Sequence, residues 1–240
     1  MLPRLNVPLY DAELPSGTKV TFRPFLVKEE KMLLIAKASD DATSIVDAVK
    51  QVLHNCLEAT PNISVDKLPL FDVEYLFLQL RARSIGEIIP LRYRCNKDIE
   101  GTPCGTISQY EVDLLAIKPV FGEGHSKQIE LTPTMGLLMT YPTFKSFTRI
   151  TREDLPAEEA FAVVGECVEA VYDADNKYYT KDAPPGELKE FIDSLSPRQV
   201  TLIDKFFDTL PKIQTTIPFL CPKCGNKEDI VVEGLDSFFV

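Results

Sequence analysis

Apolar residues recur along this chain with two different periods, and the changes of period divide it. Residues 5–23 carry the pattern of a β-hairpin: Asn6–Tyr10 and Lys19–Phe22 flank the turn signal Leu14-Pro15-Ser16-Gly17, and Pro8 assigns the first strand to an edge. Helical spacing then takes over. Pro24 to Ala38 predicts a first helix with Met32, Leu33, Ile35 and Ala36 inward. Ile45, Val49, Val52, Leu53 and Cys56 mark a second, and Val73, Leu76, Phe77 and Leu80 a third that runs from Leu70 to about Arg83. Residues 87–132 return to strand character, with Leu91–Arg94, Ile107–Leu114 and Lys127–Leu131 as its segments. Gly136–Met139 is read as a short helix. Residues 154–210 read as helical, beginning at Asp154 and Pro156, with Phe161, Val164, Val168 and Val171 on one face. A short helix from Pro185 to Ser194 follows, then a last one from Ser196-Pro197 with Val200, Ile203, Phe207 and Leu210 inward.

Four cysteines sit where strands turn. Cys221-Pro222-Lys223-Cys224-Gly225 lies between Phe219-Leu220 and Ile230–Val232, and Cys95 and Cys104-Gly105 bracket a polar loop between two alternating stretches. Tetrahedral zinc takes thiolates delivered in pairs by tight turns, so Cys95, Cys104, Cys221 and Cys224 are the predicted ligands of one structural Zn2+ in a split zinc ribbon. Cys95 and Cys104 lie further apart than an ordinary CxxC, and their pairing with the second knuckle rests on strand context. Disulfides are one competing reading and buried free thiols another. Cys56 and Cys167 fall on apolar helical faces and read as core residues. The fold class that follows is α+β: an N-terminal hairpin and helices, a split zinc-ribbon-like β subdomain, and a helical insertion between the two cysteine pairs. The expected divisions are 1–86, 87–135, 136–211 and 212–240.

Composition narrows the partners. With 26 basic and 36 acidic residues the net charge is −10, which argues against binding a phosphate backbone. No apolar run reaches membrane-spanning length, and Met1–Leu5 lacks a secretory leader's apolar region, so no membrane contact and a reducing compartment are expected. Residues 122–125 form a loop that matches no phosphate cradle or dinucleotide fingerprint. His125 has no partner motif and is not read as a ligand or base. Asp173–Lys177 lacks the glycine and distal glutamate of a calcium loop and reads as a turn. No GxSxG, HExxH or Cys–His nucleophile pairing is found, so no enzymatic activity is expected.

Several segments, in order, carry a family resemblance. Leu5–Pro8, Phe22–Lys31, Leu68–Leu76, Arg81–Glu87, Glu190–Leu195 and Phe206–Pro211 together resemble the T-even-type bacteriophage baseplate hub protein family of contractile tails. The resemblance implies a structural component of the central hub region, with other baseplate, hub and tail proteins as partners. It would be found in the host cytoplasm during assembly and in the virion tail baseplate. It implies no catalytic residues. One alternative is a hub assembly chaperone absent from the mature virion. Another is a zinc-ribbon adaptor in transcription or nucleic-acid handling, for which Lys223 and Lys227 are the thin basic signal. Apolar chain ends are normally docked, so the C-terminal Phe238 and Phe239 either fold back onto this chain's own core or, with Leu235, are candidate partner-docking residues.

Overall fold

The computed structural model describes residues 6–39, 41–57, 63–150 and 156–234. These described residues form two compact units, one from those within 1–63, 71–120 and 212–240 and the other from those within 64–70 and 121–211. The described residues mix seven α-helices with several small antiparallel sheets, an α+β architecture. None of those helices is long and apolar enough to cross a membrane.

The first unit opens with a hairpin of β1 (Tyr10–Glu13) and β2 (Lys19–Phe22), in register Tyr10 opposite Phe22. The first strand thus lies later than Asn6–Tyr10. Leu14 and Gly17 close the turn through backbone bonds, and the ladder grows outward from that closure, leaving Pro8 outside it. Helix α1 (Val27–Ala38) follows. Its N-terminus is held by Glu29, whose Oε2 accepts the Leu26 N–H at 2.9 Å, half of a capping box. Glu29 Oε1 pairs with Arg23 at 3.0 Å, and the Arg23 N–H donates to the Cys56 carbonyl at the end of α2 (Ala42–Cys56). One residue therefore anchors the hairpin exit to both helices. Ile35, expected inward, is 72% exposed; Leu33 and Ala36 carry the buried face with Glu29.

Helix α3 (Leu70–Ser84) is the spine of this unit, and Phe71, Val73, Leu76, Phe77, Leu78, Leu80 and Ala82 are all buried along it. A helix apolar on nearly every side belongs in an interior, which is why a one-stripe reading understated it. Asp72, buried in its first turn, accepts the Ser16 N–H from the hairpin at 3.0 Å, and burial pushes its carboxyl above the ordinary range. Strands β3 (Ile88–Arg94) and β6 (Ile107–Asp113) pair antiparallel, with the two-residue strands β4 (Asp98–Ile99) and β5 (Thr102–Pro103) as a small ribbon between them. The last sheet has the order β13-β12-β7, from β7 (Lys118–Val120), β12 (Lys212–Leu220) and β13 (Lys227–Glu233).

The second unit is a four-stranded antiparallel sheet, β8 (Gln128–Thr132), β9 (Met135–Met139), β10 (Val168–Tyr172) and β11 (Lys177–Tyr179), paired in sequence order. Helices α4 (Phe144–Ile150) and α5 (Ala157–Glu166) interrupt it, and α6 (Glu187–Asp193) and α7 (Pro197–Asp208) follow it. Ile203 and Phe206 of α7 pack with Ile129, Leu131, Leu137, Met139 and Val168 of the sheet. Residues 136–211 therefore hold strands as well as helices. Gly136–Met139 is strand, not helix, and Val168 and Val171 belong to β10 after α5 has ended at Glu166. Short apolar runs fit a strand or a buried helix equally well, and here cross-strand pairing decides. Gly136 is part of that decision: a Cβ there would lie 2.2 Å from the Tyr172 hydroxyl and 2.3 Å from the Ile129 carbonyl. Asp154, the expected cap of α5, lies outside the described residues.

Candidate metal centre

Strand β3 delivers Cys95 and strand β12 delivers Cys221, each at the end of a ladder whose alternation turns one face inward. Phe219, 2% exposed, is the apolar floor beneath the sulfurs. Tyr93 meets it edge-on at 4.8 Å between ring centres, Tyr110 does so at 6.3 Å, and Ile230 packs alongside. The Tyr93 hydroxyl donates to Glu228 at 3.1 Å, tying β3 to β13 on the rim. These aromatics were not singled out from sequence; the signal for them was the period-two alternation through Tyr93, which places its ring beside the following cysteine's strand.

The four cysteines converge. Sγ of Cys95 lies 3.7 Å from Sγ of Cys224, Sγ of Cys104 lies 3.7 Å from Sγ of Cys221, and all four atoms fall within 4.8 Å of one another. A tetrahedron of thiolates around a metal about 2.3 Å away has edges of about 3.8 Å. A disulfide would need about 2.05 Å, so the oxidised reading does not hold; none of the six cysteines is in a disulfide.

Backbone amides complete the surroundings. Cys95 accepts from Lys97, Cys104 from Thr106, Cys221 from Cys224 and Lys223, and Cys224 from Asn226. Each sulfur thus receives the N–H two residues on, a bond that orients the sulfur and favours its thiolate form. Its electrostatic effect is visible. The N–H groups of Cys224 and Lys223 pull Cys221 down to about 6, and the Thr106 hydroxyl and amide lower Cys104. Cys95 is pushed up to about 12 despite the Lys97 amide, because burial and the three neighbouring sulfurs oppose a second negative charge, and Cys224 is raised on similar grounds. A cation at the centre would offset the mutual repulsion of the sulfurs and let all four ionise together.

The two halves are built alike. In the second knuckle the Cys221 N–H donates to the Asn226 carbonyl and the Gly225 N–H to the Cys221 carbonyl; in the first, Cys95 donates to Thr106 and Gly105 to Cys95. Gly105 and Gly225 have φ of 67° and 69°, left-handed turns that let the amides reach the sulfurs. The wide spacing of Cys95 and Cys104 is an ordinary knuckle interrupted by residues 98–103, which form the β4–β5 ribbon. The Cys104 N–H donates to the Lys97 carbonyl at 2.8 Å, closing the knuckle across the interruption.

The remaining candidates separate cleanly. Cys56 and Cys167 are each 1% exposed and stand apart from the cluster, and burial pushes the Cys167 thiol up to about 12. His125 contacts Thr209 at 3.0 Å and Tyr141 at 3.3 Å through its two ring nitrogens and stacks on Phe206, and burial lowers its pKa. Asp173 accepts the N–H groups of Asp175 and Asn176 in the β10–β11 turn. Lys223 and Lys227 are exposed, but exposed Glu228 and Asp229 follow directly. Leu235, Phe238 and Phe239 lie outside the described residues.

Comparison with known proteins reaches almost the whole chain. Over 235 residues it is 23% identical to the "Baseplate hub assembly protein gp26" of Enterobacteria phage T4, covering 96% of this chain and 97% of that protein. No solved structure matches it. The family described as "T4 bacteriophage base plate protein" matches residues 7–240, and the chain belongs to that family.

Proposed function

We propose that this chain is a structural component of the central hub region of a contractile-tail baseplate, that it works through contacts with other tail proteins, and that one zinc ion held by Cys95, Cys104, Cys221 and Cys224 braces it. The observation that carries the role is the family match from residue 7 to residue 240. The donor set supports zinc: four thiolates with amide donors and near-tetrahedral spacing suit a soft, four-coordinate ion. Four protein ligands leave no position for water, so the proposed metal is structural and no catalytic role is assigned to it. The net charge of −10 favours protein partners over nucleic acid. The tail residues Leu235, Phe238 and Phe239 are proposed to dock on a neighbouring hub protein.

A second reading is favoured by one observation, the name of the T4 relative as a hub assembly protein. An assembly factor of the same fold would nucleate the hub and leave before the particle is complete. Quantitative mass spectrometry of purified tails separates the two. A fixed copy number per tail supports the structural component. Presence in hub intermediates with absence from finished tails supports the assembly factor.

A further inference from the structure

The ribbon that interrupts the first knuckle supplies no ligand to the proposed metal. Without residues 98–103 the first knuckle would read Cys-Asn-Lys-Cys-Gly, beside Cys-Pro-Lys-Cys-Gly in the second. The Lys97–Cys104 backbone bond already spans the point where the six residues enter, and every residue from 96 to 103 is exposed. A two-stranded ribbon of this size has little stability by itself and is carried by the rigid centre at its base.

Its tip keeps a costly residue. Glu100 and Gly101 form the two-residue loop between the paired Ile99 and Thr102, at φ of 54° and 83°. Glu100 is the one non-glycine at positive φ among the described residues. Asn or Asp fits such a turn with less strain. Glu100 has no hydrogen-bond or ion-pair partner among the described residues, whereas Asp98 is used internally, accepting the Gly101 N–H at 2.9 Å. Beside it Ile99 leaves 42% of its surface in water. A strained turn that presents a carboxylate and an isobutyl-sized apolar group outward, on a mount rigid enough to hold them, suits recognition outside the chain.

We propose that residues 98–103 are a recognition finger that inserts Ile99 and Glu100 into a shallow apolar pocket with a basic lip on a neighbouring baseplate protein. Ile99 supplies the desolvated contact, and Glu100 meets a Lys or Arg at the pocket edge. Phosphate and anionic lipid are poor occupants, because the finger would bring its own carboxylate against them. This inference rests on the baseplate reading above.

The test uses three full-length chains: wild type, E100N and a deletion of 98–103. Each is purified for zinc content and melting temperature, and each is supplied in trans to a phage lacking the gene, with completed baseplates counted by electron microscopy. The deletion is expected to keep one zinc per chain and a cooperative transition. E100N is expected to melt higher, by about 2 °C, because it relieves the turn. Both are expected to lower the baseplate count at least tenfold. Wild-type counts with either variant overturn the finger. Loss of zinc from the deletion overturns its separability from the metal centre. A gene deletion that leaves baseplate numbers unchanged even without wild type in trans overturns the baseplate role, a different failure.

Discussion

Cys221 accepts two backbone amides and is the sulfur most inclined to ionise, so among the proposed ligands it is the most informative to remove. Cys221→Ser is expected to take zinc from one per chain to near zero by elemental analysis, because a serine hydroxyl does not replace a thiolate. Cys56→Ala and Cys167→Ala should leave zinc unchanged while lowering stability, since each empties a fully packed site. Zinc lost from either of those would place a ligand outside the cluster. Glu74 on α3 presents a separate case. Burial lifts its carboxyl from an ordinary 4.5 to about 7, against the opposing help of the Ile213 amide, with nearby Glu233 adding to the rise and Lys212 reducing it. Because the folded state holds the proton more tightly than the unfolded one, folding is favoured below pH 4.5, and that advantage is lost as pH rises through 7. Glu74→Gln keeps an acceptor for Ile213 and removes the buried charge. It should raise the melting temperature by several degrees at pH 8 and by little at pH 4, on the order of 1–3 kcal/mol at the upper end. An equal shift at both pH values would show that the charge is not the cause.

At the scale of elements, the hairpin exit and α1 depend on one buried pair. Glu29 is fully buried, caps α1 through Leu26 and faces Arg23, which is 12% exposed at its side chain. Although burial raises the Glu29 carboxyl, its bonds from Arg23, Leu26 and Lys28 outweigh that and leave it below the ordinary range. The stability it contributes is therefore present above the ordinary carboxylate pKa and is lost as pH falls through the lower folded value. Glu29→Ala takes the carboxylate from Arg23 and removes the cap, and should cost about 3–5 kcal/mol in urea unfolding at pH 7. A loss under about 1 kcal/mol would mean water already serves Arg23. The elements the sequence pattern located well were those with a strong one-sided stripe, such as α2 with Val49, Val52, Leu53 and Cys56 buried. The misplaced ones lacked that stripe. Phe161 is 45% exposed on α5, and Val168 and Val171, which seemed to continue its face, lie across the start of β10. Ile35 sits among α1 residues that are apolar on two sides, so spacing did not pick the buried one. The four cysteines were legible because turn chemistry and ligand type are local. The doubled knuckle was hidden by the inserted ribbon, whose closing bond between Lys97 and Cys104 is a backbone contact that no side-chain pattern encodes.

At the scale of the molecule, the cysteine cluster brings together two segments that are remote in sequence: Cys104 and Cys221 are 117 positions apart, and residues 121–211 of the second unit lie between them. Bridging a loop of that length removes about 4–5 kcal/mol of unfolded-chain entropy in the loop-closure account, if the bridge is treated like a covalent link. All four ligands belong to the first unit, whereas the second has its own core around Leu137, Met139, Ile203 and Phe206. For the proposed metal, binding energy would therefore be folding energy for the first unit specifically. Chelation should lower the melting temperature and speed amide exchange in β3, β6, β12 and β13, with the Phe219 floor loosened once the sulfurs repel. The amides of β8, β9 and β10 should keep most of their protection, because no ligand lies among them. Hydrogen exchange before and after chelation reads this directly, strand by strand. Unchanged protection throughout would make the metal dispensable to the fold. Equal loss in both units would mean that the second cannot hold its sheet without the first, and the two cores would have to be treated as one cooperative body.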